Sequence, residues 1–120
     1  MASPRILDRA FTALADPTRR GVVRLLKGEP RRAGELADAL DVARPAMSKH
    51  LRVLEEAGLV EVRASDDDAR ARVYRLRREP FTALRSWLDD VEGFWTAQLD
   101  SFREHVEARA KDKRAKGPRK

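Results

Sequence analysis

Apolar residues recur at spacings of three and four along most of this chain and switch to alternation in one short stretch. Ile6, Leu7, Ala10, Phe11 and Leu14 form the first stripe, which predicts a helix from about Pro4 to Ala15. Ser3 is placed to cap it, and Pro4 suits its first position. Asp16-Pro17 marks a restart, with Asp as cap and Pro as first helical residue. Val22, Val23 and Leu26 then point inward along a second helix to about Lys27, which Gly28 and Pro30 end. A third, short helix covers Gly34 to Leu40 with Leu36, Ala37 and Leu40 on its buried face. After Asp41-Val42-Ala43 a fourth helix runs from Arg44 to Ala57, with Met47, Leu51 and Leu54 inward. Gly58 stands where a left-handed helix end is needed.

Strand character follows at Leu59 to Ala64 and at Arg72 to Leu76, joined by the polar "SDDDARA", which predicts a hairpin. The helical spacing then returns for a long stretch, about Glu79 to Ala108. It is carried by Leu84, Trp87, Leu88, Val91, Phe94, Trp95, Leu99, Phe102 and Val106. The expected fold is mainly α with a small β-hairpin, in the order ααααββα. It should occupy residues 1–108 as one domain, with 109–120 as a basic tail too poor in apolar residues to fold alone.

Charge changes the picture only once it is located. The chain has 26 Lys and Arg against 20 Asp and Glu, a net +6. Residues 109–120 hold seven of those bases and one acid, so the tail carries the whole excess and the body is neutral. Within the body the charges separate. Residues 43–52 carry three bases and no acid, residues 70–78 five bases and no acid, and residues 81–107 two bases and six acids. Two basic patches beside an acidic helix point one face at a polyanion.

Two short helices joined by a three-residue turn make a helix-turn-helix, with small Ala37 allowing a close crossing. A helix fits the major groove of duplex DNA and reads base edges from its first turns. Arg44 and Lys49 can reach guanine acceptors or phosphates, and Ser48 and His50 can add hydrogen bonds. Arg70 and Arg72 stand on the return limb of the adjacent hairpin, where wing arginines enter the minor groove or grip phosphates. The acidic tip, Asp66 to Asp68, is left out of that contact.

The last helix raises a separate question, since it would span about 42 Å, longer than the winged core beside it. The economical cover for its stripe is a second copy, packed about a two-fold axis. The expected interface is Ile6, Leu7, Phe11 and Leu14 from the first helix, with Leu84, Trp87, Leu88, Val91, Phe94, Trp95, Leu99 and Phe102 from the last. Such a homodimer would set two reading helices about 34 Å apart on an inverted repeat.

The residues now in hand resemble the ArsR/SmtB family of bacterial winged helix-turn-helix repressors. The resemblance is carried by "FTALADPTRRGVVRLL" (Phe11 to Leu26), "GELADAL" (Gly34 to Leu40), "RPAMSKHLRVLEEAGLV" (Arg44 to Val60) and "ARVYRL" (Ala71 to Leu76). It implies a homodimer built from first and last helices, operator binding, and repression relieved by a signal. It places the DNA contacts at Arg44, Pro45, Ser48, Lys49, His50 and Arg52, with wing arginines at Arg70 and Arg72.

The chain departs from the family pattern in its caps, its turn and its sensing groups. Ala33 and Ala43 replace the usual Ser or Thr caps, and a lost cap costs about 1 kcal/mol. Asp41 replaces the common Gly of the turn. There is no cysteine, so the thiolate sites of many relatives have no counterpart. Asp89, Asp90, Asp100, His105 and Glu107 supply only one imidazole to the last helix, so no metal or other cofactor is expected. The likeness is to the cysteine-free branch, and no sequence feature names the inducer. Two His, no Cys and no Gly-rich phosphate loop argue against an enzyme. No apolar run reaches the length of a membrane span and the N-terminus has no signal-peptide core, so a cytoplasmic location is expected. The function that follows is a sequence-specific regulator, a homodimeric repressor gripping a double-stranded DNA operator through the helix at 44–57 and the wing at 65–72. The competing reading is a protein-interaction module that keeps the scaffold and docks a partner on its aromatic helix.

Overall fold

The structure, a computed structural model, describes residues 4–115. Its elements are α1 Pro4–Leu14, α2 Pro17–Leu26, α3 Ala33–Leu40, α4 Arg44–Glu56, β1 Val60–Ala64, β2 Arg72–Leu76 and α5 Arg78–Ala115. This is the expected order, and the boundaries agree to within about a residue everywhere except the end of α5. Ser3 lies outside the described residues.

The turns follow from local chemistry. Asp16 caps α2 by accepting from the Arg19 N–H at 3.0 Å, with Pro17 behind it. The α3 cap sits one residue earlier than the sequence suggested: Arg32 is the cap position, and Glu35 reaches back to its N–H at 3.2 Å. Thus α3 recovers part of what Ala33 lacks. Ala43 does cap α4, and it offers no side-chain bond. Both α3 and α4 end in the same paired bonds. Val42 N–H donates to Ala37 O and Asp41 N–H to Asp38 O after α3; Leu59 N–H donates to Leu54 O and Gly58 N–H to Glu55 O after α4. Each arrangement needs a left-handed residue, and these are Asp41 at φ 53° and Gly58 at φ 76°. Asp41 therefore holds a backbone conformation that its Cβ disfavours.

The chain divides into two compact units, residues 1–84 and 85–120. The first buries one continuous core: Ala10 and Ala13 from α1, Val22 and Leu26 from α2, Leu36 and Ala37 from α3, Met47, Leu51 and Leu54 from α4, with Leu59, Val60 and Leu84. Leu7 and Leu14 pack partly against it. Leu36 and Leu54 are wholly buried, so α3 and α4 are locked as a pair.

The hairpin is antiparallel, with Val60 opposite Leu76 and Ala64 opposite Arg72. A third segment joins it that alternation did not predict. Arg31 exchanges backbone bonds with Tyr74, N–H to O at 3.1 Å and O from N–H at 2.8 Å. The free edge of β2 is thereby tied to the α2–α3 connection.

The second unit is the body of α5. The helix continues to Ala115, seven residues beyond the expected stop at Ala108. Residues 109–115 are Ala, Lys and Arg apart from Asp112, all but the last strong helix formers, and a cationic C-terminal end suits the helix dipole. Propensity thus extends the helix past the end of its apolar stripe. Of the basic tail, residues 116–120 lie outside the described residues.

Candidate nucleic-acid interface

The α4 helix turns two chemically distinct sides to its surroundings. Met47, Leu51 and Leu54 fix one side in the core at about 1 % exposure or less. Pro45, Ser48, Lys49 and Arg52 project from the opposite side, all exposed. Pro45 occupies the first turn, where its missing N–H leaves no bond unmade. Lys49 and Arg52 form no ion pair or hydrogen bond with any described residue. They are cations on a convex rod, open to phosphate or base edges.

Arg44 begins α4 and is also exposed, but its guanidinium folds back over the start of α3. A Cβ at Gly34 would stand 3.1 Å from its Nη2 and 3.2 Å from its Cζ. Gly34 makes room for the arginine at the mouth of the turn. Sequence inspection treated Gly34 only as part of α3, and no local signal links it to Arg44.

On the hairpin the arginines sort into two groups. Arg75 donates to Glu61 Oε1 at 2.6 Å across the strands, and Arg63 donates to the same oxygen at 3.1 Å. These bonds, that from Arg75 foremost, hold the Glu61 carboxyl below its usual titration range, against a smaller desolvation. Arg77 pairs with Glu79 at 3.5 Å. Arg63, Arg75 and Arg77 at the base of the wing are thus each held by an acid. Arg70 and Arg72, toward the tip, are exposed and pair with no described acid. The tip is shaped by its own bonds: Arg70 N–H donates to Asp68 Oδ1 at 3.0 Å, and Asp67 N–H to Ser65 Oγ at 3.3 Å. The acids singled out at the tip are partly turn-formers.

His50 is placed differently from its neighbours on α4. It is half-buried, with Nδ1 3.3 Å from Arg19 Nη1 and 3.8 Å from Asp16 Oδ2. Arg19 also donates through Nε to Ala13 O at 2.6 Å and through Nη2 to Thr12 O at 3.3 Å, while Arg20 donates to Leu14 O at 2.8 Å. Two arginines of "DPTRR" therefore satisfy the open carbonyls at the end of α1. Asp16 is held below the ordinary carboxylate range, first by the Arg19 N–H and then by His50 when its ring is protonated and by the Arg19 charge, with desolvation opposing. The sequence marked Asp16 as a cap, but nothing in it signalled that α4 would lean on that cap through His50.

The expected dimer residues fall into three sets. Leu84 is 8 % exposed, and Leu7 and Leu14 are half-buried, so these serve the core of the first unit. Ile6, Phe11, Trp87 and Val91 are about two-fifths exposed. Leu88, Phe94, Trp95, Leu99 and Phe102 range from 52 % to 67 %, with Val106 at 47 %. That last set is a long apolar stripe open to water, far beyond scattered surface apolar residues. Among the described residues, no three His, Asp or Glu stand close enough to hold a metal ion, and no helix is long and apolar enough to cross a membrane.

Comparison with known proteins agrees with this geometry. A helix-turn-helix domain family matches residues 14–63, which span α2, α3, α4 and most of β1. The chain is 41 % identical over 112 residues to the HTH-type transcriptional regulator Rv2034 of Mycobacterium tuberculosis, covering 93 % of this chain and 99 % of that one. It resembles the crystal structure of the ArsR family transcriptional regulator RHA00566 with a TM-score of 0.69 at 37 % identity, over 79 % of this chain and 95 % of the other. The homodimeric winged helix-turn-helix DNA-binding domain of Mb0332 from Mycobacterium bovis is similar over 77 % of this chain and 88 % of its own, with a TM-score of 0.57 and 26 % identity. With its two capped helices, its pinned wing and these relatives, the chain belongs to the ArsR/SmtB family of winged helix-turn-helix transcriptional regulators.

Proposed function

We propose that the protein is a homodimeric repressor that binds an inverted-repeat operator. The reading carries one α4 into each of two successive major grooves, with Arg70 and Arg72 of each wing on the flanking backbone. Its central support is the sorting of cations. Lys49 and Arg52 on the outward side of α4 and Arg70 and Arg72 at the wing tip have no partner among the described residues, whereas Arg63, Arg75 and Arg77 of the wing and Arg19 at the α1–α2 corner do. Exposed, unpaired cations are what phosphate contact requires, since each one displaces a condensed counterion. Arg44, Pro45, Ser48, Lys49 and Arg52 are the proposed contacts of the helix. The exposed stripe from Leu88 to Phe102 is the proposed two-fold contact, as the homodimeric relative encourages. On this reading the protein has no catalytic role and acts in the cytoplasm.

The test is operator selection from a random duplex library, followed by mobility shift on the selected site and on the region upstream of the gene. One dimer bound per palindrome, with clear preference over random duplex at physiological salt, is expected. A chain with equal affinity for every duplex would reject the proposal and favour a protein-docking role for the aromatic helix.

A further inference from the structure

We propose that His50 is a positioning residue: through Nδ1 it ties the reading helix to the Asp16–Arg19 corner, and its charge state sets how α4 is presented to DNA. The inference rests on α4 being the reading helix. It departs from the sequence expectation, which placed His50 among the DNA contacts.

The geometry carries the argument. Arg19 is a permanent cation and only donates hydrogen bonds. Its Nη1 lies 3.3 Å from His50 Nδ1, so the bond exists only when Nδ1 is bare and the ring proton sits on Nε2. Arg19 is itself fixed at two other points, Ala13 O and Thr12 O, at the end of α1. The neutral ring is thus the acceptor that connects α4 to a rigid corner of α1 and α2. When the ring takes a proton it lands on Nδ1, the bond from Arg19 is lost, and two cations face each other. The nearest compensating group is Asp16 Oδ2 at 3.8 Å, a separation at which a modest movement of the ring makes a new donor bond. Asp16 already accepts from the Arg19 N–H at 3.0 Å, so it cannot move toward the ring without loosening the α2 cap. The ring, and with it the turn of α4 that carries it, must therefore adjust instead.

Among the described residues, no charged group besides Arg19 and Asp16 pairs with the ring. On α1 and the far part of α4, Asp8, Arg9 and Glu56 line an open groove of about 510 Å³, and none of them is paired with His50. Lys49 and Arg52, its neighbours on α4, are exposed. The charge balance at the ring is set by one cation and one anion of the α2 start.

The prediction has an unusual sign. A histidine that touched phosphate would strengthen binding when protonated. A positioning His50 weakens operator binding on protonation, because α4 is displaced while the added charge does not face DNA. Three measurements on the full chain test this. Imidazole ¹⁵N shifts at about pH 8 should show His50 as the Nε2–H tautomer; an Nδ1–H ring would overturn the proposal without reference to DNA. Operator affinity should fall several-fold as pH drops from about 8 to 5.5 in the parent and stay level in His50→Asn, which keeps a short-range acceptor that does not titrate. A parent profile that is flat, or that rises, rejects the idea. His50→Leu should lose about tenfold at pH 8 with an unchanged salt slope and an unchanged base preference. A reduced slope or a relaxed preference would show direct DNA contact and likewise reject it. Failure of the parent to select any operator is a separate result and counts against the DNA-reading role of α4, while the tautomer still decides the His50–Arg19 bond.

Discussion

Helices α4 and α5 carry apolar stripes of similar character and treat them in opposite ways. In α4 the stripe is gone from the surface: Met47, Leu51 and Leu54 are buried in the core, and the charges that face water from Arg44 to Arg52 are all cationic. Beyond Leu84, α5 leaves Phe94, Trp95 and Phe102 more than three-fifths exposed, interleaved with acids on its other sides. The contrast separates two kinds of amphipathic helix. One is complete within a single chain, and its polar side is the proposed DNA contact. The other leaves its apolar side open to water, and that side is the proposed contact with a second copy.

The sharpest way to break this contrast is to truncate a leucine in each helix. Leu51→Ala should cost about 3 kcal/mol of unfolding free energy at every protein concentration, measured by urea titration. Leu99→Ala should show its cost mainly as a midpoint that depends on concentration, because its proposed partner is another copy. If Leu99→Ala proves concentration-independent, α5 is not the dimer contact. The next effect is on assembly. Phe94→Glu with Phe102→Glu should give monomers by sedimentation velocity and lower operator affinity by roughly 100-fold, since a dimer gains through effective concentration what a single reading helix cannot. The folded first unit should be unaffected by that pair, which circular dichroism can check.

Smaller effects sharpen the cationic side of α4. Arg72→Ala and Lys49→Ala should each weaken binding to all sequences alike and reduce the salt slope by about one unit. Arg44→Ala should cost about 1–3 kcal/mol and relax one base preference if Arg44 leaves Gly34 to read a guanine. Asp41→Gly should raise stability by about 0.5–1 kcal/mol, because Gly58 already fills the matching left-handed position after α4. The smallest effect is at acid pH. Asp16 and Glu61 both titrate lower in the folded chain than when unfolded. Their contribution is therefore present above the ordinary carboxylate range and fades as pH falls through the folded values. Asp16→Asn with Glu61→Gln should lower stability near neutral pH and flatten that acid limb of the urea midpoint.

Most of the fold was legible because it rests on periodicity and punctuation. Asp16-Pro17, Gly58 and the three-and-four spacing of Met47, Leu51 and Leu54 each carry their meaning locally. What stayed hidden depended on partners distant in sequence. A single residue pair such as Arg31 with Tyr74 has no alternation to announce it. His50 sits at the margin between the buried and open sides of α4, so helical phase alone could not decide its direction; Arg19, 31 residues earlier, decides it. The length of α5 was missed for a different reason. Its last turns are helical by propensity, and a reading keyed to apolar residues stops at Val106. The cap of α3 shifted by one because Glu35, inside the helix, supplied what Ala33 could not.

The Arg31–Tyr74 bridge has a bearing on which insertions the chain can tolerate. Because Arg31, in the short connector before α3, is stitched to the middle of β2, extra residues placed between Gly28 and Pro30 would be taken up as slack only if Arg31 kept its register; otherwise they would drag the wing with them. Extra residues between Asp66 and Ala69 load no such stitch. Length variation within this lineage should accordingly gather at the far end of the hairpin and avoid the short connector before α3, a pattern that an alignment of close relatives would reveal.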